Sequence, residues 1–519
     1  MVITATSAMR IRRAYVCLFP LAPMAACVAL AWPQSASAAE WSITPGLDLR
    51  ETYTDNLTLA SRGAERSDFV TEVAPNLAVR GVGSRMHLNA DYVMRNFFYA
   101  RTSGASNTQH QLHAAADATL VDDLLFFDGD ASLGQQAISP FGAQVADNGN
   151  LNGNQAEVRT YTLSPYLRHH FGHSATAELR VSCDGVSSSA DNLLDSQSNR
   201  VHISLDSGRD FRALQWSALY DAQRIDYKSS DDVDLKRLSG SLRYLLTPRF
   251  AATGSAGYER NNYVAIGEKP EGAFWALGAD WMPAQRTSIS ISAGRRYFGN
   301  TVSFAAQHRA RIAVFSAAYQ EEITTARSQF LLPSTSDTAA FLDGLLMNSV
   351  PDKVEREKQV SRFIHDANLP PSLVAPVNTF SNRVFLQKSA NVSVASRGTK
   401  NTLIVTVFHT ERDPQSAAGT TASTGALLDD ATRQNGVSAL WNWALSPRTR
   451  LAANAAFSRA SAATSDRHDD NMTFRMGVAH QLHPKLNGGI ELRRLEKRSS
   501  QAGNEFRENA LTAFLLMNF

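Results

Sequence analysis

The amino-acid sequence predicts an all-β fold, a transmembrane antiparallel β-barrel of about 20–22 strands with a helical insertion. Three features of the sequence predict it. The N-terminus resembles an export signal, a two-residue hydrophobic period runs through most of the remaining chain, and a strand with that period ends at Phe519. A chain of 519 residues is long enough to form a single barrel of this size.

Residues 1–39 have the composition of a cleaved secretory signal. Arg10, Arg12 and Arg13 form a positively charged start, residues 14–32 are mainly apolar, and small residues lead up to Ala39. A retained membrane anchor is the alternative, and the small residues at the expected cleavage site disfavour it. No later apolar run approaches the roughly 18 residues that a membrane helix needs. We therefore do not expect an inner-membrane protein.

The composition excludes two classes of protein. Lys and Arg number 51 and Asp and Glu number 49, so the chain offers no basic surface of the kind that binds nucleic acid. A hydrophobic content of 43% with a mean hydropathy of -0.24 is too polar for a bundle of membrane helices. Both values suit a barrel, because one face of each strand points towards water.

The two-residue period places apolar and polar side chains on opposite faces of each predicted strand. For example, Leu238, Leu242 and Tyr244 alternate with Arg237 and Arg243. A water-soluble β-sandwich also alternates, but its strands are usually shorter and a second sheet must cover its apolar face. Charges of both signs on the polar faces and aromatic residues on the apolar faces favour a barrel with a hydrated lumen.

Short turns alternate with long polar loops, which predicts an even strand number and two periplasmic termini. Short turns are predicted at residues 81–84, 121–123, 171–174, 207–210, 247–249, 282–285, 397–400, 446–448 and 483–485. The resulting count is roughly 21 candidate strands, so one strand is missing or in excess.

Residues 324–379 differ from the rest of the chain and separate barrel segments 40–323 and 380–519. Phe341 and Leu345 have helical spacing, and Pro351 opens a second amphipathic stretch that contains Val360 and Phe363. Amphipathic helices cannot form part of a lipid-facing wall. We expect this insertion to be a lumenal plug or a domain at the rim, or to hide one strand near residues 328–332.

The last strand carries a predicted barrel-assembly signal. Leu511, Ala513, Leu515, Met517 and Phe519 lie on one face of an alternating strand that ends in Phe. This pattern resembles the signal that the outer-membrane barrel assembly machinery recognises. We therefore expect that machinery to be a partner of the chain.

Charged residues on the polar faces are the candidate functional residues, because charged rings in a pore set the field that solutes experience. The candidate pore-lining residues are Asp91, Arg95, Asp128, Asp130, Arg237, Arg243, Asp280, Arg296, Glu491 and Arg493. Phe126 and Phe97 are candidates for contact with sugar rings. The simpler interpretation is that large barrels keep hydrated interiors whatever they transport.

No enzyme, cofactor or metal site is predicted. The sequence contains no nucleophile elbow, zinc-protease motif, phosphate-binding loop or C-x-x-C pair. His169, His170 and His173 lie at a turn, where solvated histidines are the more frequent arrangement. Residues 147–154 are rich in Asp and Asn but lack the bidentate Glu of a calcium loop.

Four short motifs follow one another along the chain: YTDN at 53–56, ISPFG at 138–142, GRRYFGN at 294–300 and SQFLLP at 328–333. With them, most of the mature chain resembles the outer-membrane proteins associated with PEP-CTERM/exosortase systems. The resemblance implies a porin-like barrel encoded in loci for exopolysaccharide biosynthesis and export. It implies no catalytic or binding residue.

The expected function is therefore a pore in the outer membrane of a Gram-negative bacterium that supports exopolysaccharide export. One alternative is a general porin for small solutes, and another is a closed structural barrel that anchors surface polysaccharide or protein. The expected partners are outer-membrane lipid and lipopolysaccharide, with exopolysaccharide and other secretion components as further candidates.

Overall fold

The computed structural model describes residues 40–145, 149–190, 193, 195–228, 231–266, 269–331, 356, 360, 376–416 and 431–519. In these ranges, 22 β-strands form one closed antiparallel sheet. They are β1 Glu40–Thr54, β2 Asp68–Val82, β3 Met86–Tyr99, β4 Asn107–Val121, β5 Leu125–Ala137, β6 Gln155–Phe171, β7 Ala175–Ser188, β8 Ser196–Ser207, β9 Leu214–Tyr227, β10 Val233–Thr247, β11 Phe250–Asn261, β12 Glu271–Ala284, β13 Thr287–Arg296, β14 Gly299–Arg309, β15 Ala313–Thr325, β16 Val384–Arg397, β17 Asn401–Pro414, β18 Thr432–Ser446, β19 Thr449–Ala462, β20 His468–His483, β21 Leu486–Ser499 and β22 Phe506–Asn518. The predicted β-barrel is confirmed.

The sheet closes between its first and last strands. Each strand pairs with its neighbour in the chain, and β1 pairs antiparallel with β22 from Gly46 opposite Asn518 to Thr54 opposite Ala510. Thr52 and Thr512 share a hydroxyl hydrogen bond of 2.9 Å across this seam. Closure leaves no sheet edge within the membrane, where unpaired backbone groups are costly.

The even strand number corrects the count of 21. The predicted set of short turns lacks the one between β14 and β15, at residues 310–312. These residues include neither glycine nor proline, so the usual turn signals are absent. The short turns, the start of β1 and the end of β22 lie at one end of the barrel, which is the periplasmic end by the usual asymmetry of these proteins.

The suggested strand near residues 328–332 is wrong, because the chain there forms helix α1, Ala326–Leu331. The Thr325 hydroxyl accepts a hydrogen bond of 3.0 Å from the Ser328 backbone N–H and so caps the helix start.

Most of the predicted amphipathic helices lie outside the described residues. Arg356 and Val360, which are described, have helical backbone and are buried. Among the described residues, no helix has the length and apolar character needed to cross a membrane.

The outward faces of the strands are apolar and exposed. Leu238, Leu242 and Tyr244 on β10 and Ile490 and Leu492 on β21 are examples. Among the described residues, no protein layer covers these side chains, and they form the band that contacts lipid. Side chains of the opposite parity point into the lumen.

The lumenal wall has two parts that differ in burial. On β16–β22 the inward side chains are mostly buried, whereas inward Ser288, Ser290 and Ser303 on β13 and β14 are exposed. Part of the covering comes from loop 55–67 and from the described residues of loop 138–154, which fold inwards at the extracellular end. Leu59 packs on Leu495 and Phe506, and Phe141 packs on Ala460 and Ala462. We call β9–β15 the open wall and β16–β22 the covered wall.

Candidate lumenal passage

The ten candidate pore-lining residues all lie on inward-facing positions, but their environments differ. Arg237 on the open wall has 43% of its side chain exposed, whereas Arg493 on the covered wall has 3%. Asp91, Arg95, Asp128 and Asp130 lie on β3 and β5, between the two walls along the ring. Sequence periodicity therefore predicts the face of a residue but not whether water reaches it.

Arg243 and Asp280 form the centre of a polar network on the open wall. Arg243 Nε donates to Asp280 Oδ2 at 2.8 Å and its Nη1 donates to Gln215 Oε1 at 3.1 Å. Ser290 Oγ donates to the other Asp280 oxygen at 2.7 Å. These residues belong to β9, β10, β12 and β13, so adjacent strands hold the two charges in place.

Serine pairs extend this polar surface around the open wall. The hydroxyl oxygens are 2.6 Å apart in the pair Ser217–Ser241 and 2.7 Å apart in the pair Ser292–Ser303. Serine side chains are short, so they project little into the lumen, and their hydroxyl groups present both hydrogen-bond donors and acceptors. A hydrated chain rich in hydroxyl groups can exchange hydrogen bonds with such a surface.

A tighter cluster lies nearer the extracellular end of the same wall. Glu259 forms ion pairs with Arg296 at 2.8 Å and with Arg237 at 3.6 Å. Above it, the Tyr263 and Tyr297 hydroxyl oxygens are 3.0 Å apart, and burial raises the pKa of both residues. Both hydroxyls therefore stay neutral and able to donate hydrogen bonds.

The periplasmic half of the lumen between β5 and β7 combines aromatic and charged groups. Phe126 stacks on Tyr166 with ring centroids 5.1 Å apart, and the Arg180 guanidinium lies 3.8 Å from the Tyr166 centroid. Arg180 also pairs with Asp128 at 2.6 Å, and Arg168 pairs with Glu178 at 2.8 Å. Phe126 is half-buried and can contact a solute.

Two other candidates on this side of the ring, Arg95 and Asp91, are held in ion pairs. Arg95 pairs with Glu72 at 2.6 Å, and Asp91 pairs with Arg80 at 3.7 Å. Phe97 is buried with Leu57, Val70 and Tyr99, so the suggested contact between Phe97 and a sugar ring is wrong. Hydrophobic packing against the inward-folded loop 55–67 removes this ring from the lumen.

The covered wall carries a buried charge cluster around Glu508, a residue that sequence reasoning missed. Arg493 donates to both Glu508 oxygens at 2.6 and 3.1 Å, Thr54 Oγ1 donates at 2.7 Å and Asn150 Nδ2 donates at 2.9 Å. Asn150 belongs to loop 138–154, so this carboxylate fastens that loop to the wall. A carboxylate at an inward position of β22, between Phe506 and Ala510, is the sequence signal that could have identified it.

Two further cationic side chains, Lys497 and Arg327, fasten inward-folded segments. Lys497 pairs with Asp469 at 2.9 Å and donates to the Phe141 carbonyl at 2.5 Å. Arg327 of α1 pairs with Asp184 on β7 and donates to Ser196 Oγ on β8 at 2.7 Å. The extracellular half of the lumen is therefore narrowed by segments that charged side chains hold against the wall.

The histidine cluster shows no metal geometry. His170 Nδ1 is hydrogen-bonded to Thr176 Oγ1 at 2.9 Å, and His169 packs edge-on against Phe171. Within the described ranges, no three His, Cys, Asp or Glu side chains are grouped as metal ligands would be. Asp147 and Asn148 of the loop that was compared with calcium sites lie outside the described residues.

The predicted assembly-signal residues lie on the outer wall at the seam. Leu511 and Leu515 are exposed towards lipid, as is Ala513 between them, and Met517 is half-buried. The terminal Phe519 is exposed, and its backbone N–H donates to the Pro45 carbonyl at 2.9 Å.

No protein-family model and no curated protein sequence matches the chain. The fold is similar to that of a solved iron transporter and of solved siderophore and ferric-catecholate receptors. The FrpB iron transporter from Neisseria meningitidis (F5-1 variant) aligns with a TM-score of 0.50 at 10% identity, over 92% of this chain and 82% of that one. The ferric-catecholate import receptor Fiu from Escherichia coli K12 aligns with a TM-score of 0.49 at 9% identity, over 91% and 81% of the two chains.

The siderophore receptor PirA from Pseudomonas aeruginosa gives a TM-score of 0.46 at 9% identity, over 92% of this chain and 80% of the receptor. The FrpB alignment, at 10% identity, transfers the fold and no ligand. Together with the closed sheet, which has 22 strands in the described residues, and its apolar outer band, this alignment identifies the chain as a β-barrel of the Gram-negative outer membrane.

Proposed function

We propose that this barrel is a pore that supports exopolysaccharide export across the outer membrane, in a PEP-CTERM/exosortase-associated system. The observation that carries the proposal is the two-part lumen. A hydrated wall of serine pairs and the Arg243–Asp280 network runs beside a covered wall whose loops narrow the extracellular end. This arrangement suits a polar polymer that moves along one side of a gated passage, and it suggests no enzymatic step.

The charges of the periplasmic turns support entry of an anionic polymer from that side. Six consecutive short turns between β10 and β21 each contain an exposed cation: Arg249, Arg286, Arg311, Lys400, Arg448 and Lys485. No Asp or Glu lies within three residues of any of them in the sequence. Such an arc produces a positive field at the mouth and raises the local concentration of a polyanion.

Deletion of the gene tests the proposal most directly. Polysaccharide in the medium is compared with polysaccharide trapped in the periplasm of the wild-type and deletion strains. Loss outside with accumulation inside supports export. Unchanged secretion would contradict the proposal. The two remaining alternatives would then be a general porin and a closed structural barrel.

Bilayer conductance separates those two alternatives. A general porin conducts in the steady state, whereas a structural barrel shows no conductance even after the loop contacts are broken. An export pore with a narrowed extracellular end is expected to conduct weakly, and the substitution Asn150→Ala, which removes the loop's hydrogen bond to Glu508, is expected to raise conductance several-fold.

The charged periplasmic turns provide a second, graded test. A variant with Arg249→Gln, Arg286→Gln and Arg448→Gln is expected to keep its conductance but to secrete less polymer. The matched control carries Arg159→Gln, Arg260→Gln and Arg433→Gln, which remove the same charge at the extracellular end. An equal drop in secretion by both variants contradicts entry guided by the periplasmic turns.

A further inference from the structure

A network of arginines lies on the outer wall, away from the lumen, at the extracellular ends of β19–β22. Arg494, Glu496 and Arg498 alternate along the outward face of β21, directly after the exposed Ile490 and Leu492. A strand rises ~3.3 Å per residue, so the network begins about 7 Å beyond the apolar band. This level corresponds to the headgroups of the outer leaflet.

Three guanidinium groups share one carboxylate at the centre of the network. Glu496 pairs with Arg498 at 2.9 Å, with Arg494 at 3.3 Å and with Arg507 at 3.4 Å. The register between β21 and β22 places Arg507 directly opposite Glu496. Each guanidinium has five N–H donors, so one carboxylate leaves most of them available to another acceptor.

The network continues onto β19 and β20. Arg459 donates to both oxygens of Asp470 at 2.6 and 2.7 Å, and Asp470 lies opposite Arg498 in the register of β20 and β21. The four arginines and two carboxylates named so far carry a net charge of +2, and the patch remains positive, at +1, when Asp55 is included. At its far side, Asp55 accepts two hydrogen bonds from Asn509.

Other outward ion pairs at the same end are balanced. Arg159 pairs with Glu157 at 2.6 Å, and Arg433 pairs with Glu411 at 3.3 Å. Each of these carboxylates neutralises its arginine. The excess of guanidinium groups at β19–β22 therefore needs a different explanation from that of a surface ion pair.

We infer that this network is a binding site for lipopolysaccharide and that it holds the phosphate groups of the lipid anchor. Guanidinium groups bind phosphate oxygens in bidentate fashion, and basic clusters beside a membrane-spanning wall bind anionic headgroups. Arg498 and Arg507 are 76% and 63% exposed, so both can reach a headgroup whose acyl chains lie along Leu492 and Leu511. The site does not depend on what passes through the lumen.

Lipid binding to the purified full-length barrel in detergent tests the inference. Diphosphoryl lipid A and its dephosphorylated form are titrated against the wild type and against a variant with Arg498→Gln and Arg507→Gln. Native mass spectrometry counts the bound lipid. The wild type is expected to bind the phosphorylated form on the order of tenfold more tightly than the variant does, a difference of about 1.4 kcal/mol.

A variant with Arg159→Gln and Arg433→Gln is the matched control, because it removes the same charge from balanced pairs. It is expected to keep wild-type affinity within about twofold. Heat-modifiable migration on gels establishes that both variants are folded. Equal affinity of the wild type for phosphorylated and dephosphorylated lipid, or equal losses in the two variants, overturns the site. Vesicles of phosphatidylglycerol that bind as tightly as lipid A overturn the assignment to lipopolysaccharide.

Discussion

Glu508 is the residue at which an inward-folded loop and the barrel wall meet. Its carboxylate is fully buried and takes hydrogen bonds from Arg493, Asn150 and Thr54. A carboxylate loses much hydration energy when it is buried, and charge-assisted hydrogen bonds offset that loss only when they are complete. Removal of one partner therefore destabilises the fold by more than the intact pair stabilises it, because the other partner stays buried.

The substitution Glu508→Gln is expected to destabilise the folded barrel strongly. Glutamine keeps the size of the side chain but removes the negative charge that Arg493 contacts at 2.6 Å in the buried cluster, at a cost of roughly 3–5 kcal/mol. Urea unfolding followed by tryptophan fluorescence measures the change. The control Glu157→Gln removes a carboxylate from the outer-surface pair with the largely exposed Arg159 and is expected to cost about 1 kcal/mol or less. Equal costs would show that the buried cluster has no special role in stability.

Gly436 illustrates a packing requirement at a single residue. A Cβ atom at this position would lie 2.3 Å from Cε1 of the Phe408 ring, which is itself buried against the lumenal wall. The same arrangement of ring over glycine occurs where Phe514 covers Gly489 and Phe274 covers Gly257. These rings fill the space that the missing side chains leave in the sheet.

The substitution Gly436→Ala is therefore expected to displace the Phe408 ring and to cost roughly 1–3 kcal/mol. Gly134 on β5 provides the control, because no atom lies within 4 Å of a Cβ built there. The temperature at which the folded band disappears from unheated gels measures both variants. The packing argument fails if the two substitutions shift that temperature by the same amount.

At the scale of elements, helix α1 joins distant parts of the ring. It follows β15 directly, yet Arg327 pairs with Asp184 on β7, and β7 and β15 are eight strands apart in a ring of 22. On the return to β16, the Phe380 backbone N–H donates to the Ile138 carbonyl at 3.0 Å. Both ends of the insertion are thus held to the loops and the wall on the far side of the lumen.

Protease accessibility on intact cells tests this attachment. Arg356, one of the two described residues of the central insertion, is buried, and external trypsin is expected to spare it in the wild type. Arg327→Gln removes the charge that α1 presents to Asp184, so cleavage within the insertion is expected to rise several-fold. The variant Arg62→Gln changes an exposed loop residue and serves as control. Rapid cleavage of the wild type at Arg356 would contradict a lumenal position for that segment.

The sequence predicts the strands well because each has a lipid-facing side that must be apolar. It fails where that constraint is absent. Residues 310–312 form a turn without glycine or proline, and residues 328–331 were open to interpretation as a strand because a short apolar run has no clear period. In the structure residues 328–331 belong to a helix. Thr325 caps its start, and Arg327 pairs with Asp184 on β7.

At the scale of the whole molecule, periodicity predicts which charges point inwards but not which of them water reaches. Arg237 and Arg493 have equivalent positions in their strand patterns, yet one faces the open wall and the other lies beneath loop 138–154. Asn150 and Glu508 are separated by 358 residues, and no local pattern indicates their contact. The inward folding of the loops depends on such long-range pairs.

The predicted assembly signal also belongs to this scale. If the predicted signal is read by the assembly machinery, the substitution Phe519→Ala is expected to reduce the amount of barrel in the outer membrane several-fold. Folding of purified chain into detergent is expected to remain unchanged, because the Phe519 ring is exposed. Phe315→Ala, at another exposed lipid-facing position, is the control. Equal loss of both variants from the membrane would argue against a terminal signal.

Closure of the sheet between β1 and β22 dictates an order of events in time. β1 is the first strand to leave the ribosome, yet one of its two neighbours is the last, and Thr52 and Thr512 in the seam are 460 residues apart. The chain entropy lost in bringing such distant segments together grows with their separation. Until β22 arrives, β1 keeps a row of unpaired backbone groups that lipid cannot satisfy. The two open edges of the unfinished barrel therefore have to be kept from lipid until the 13-residue strand β22 pairs with β1.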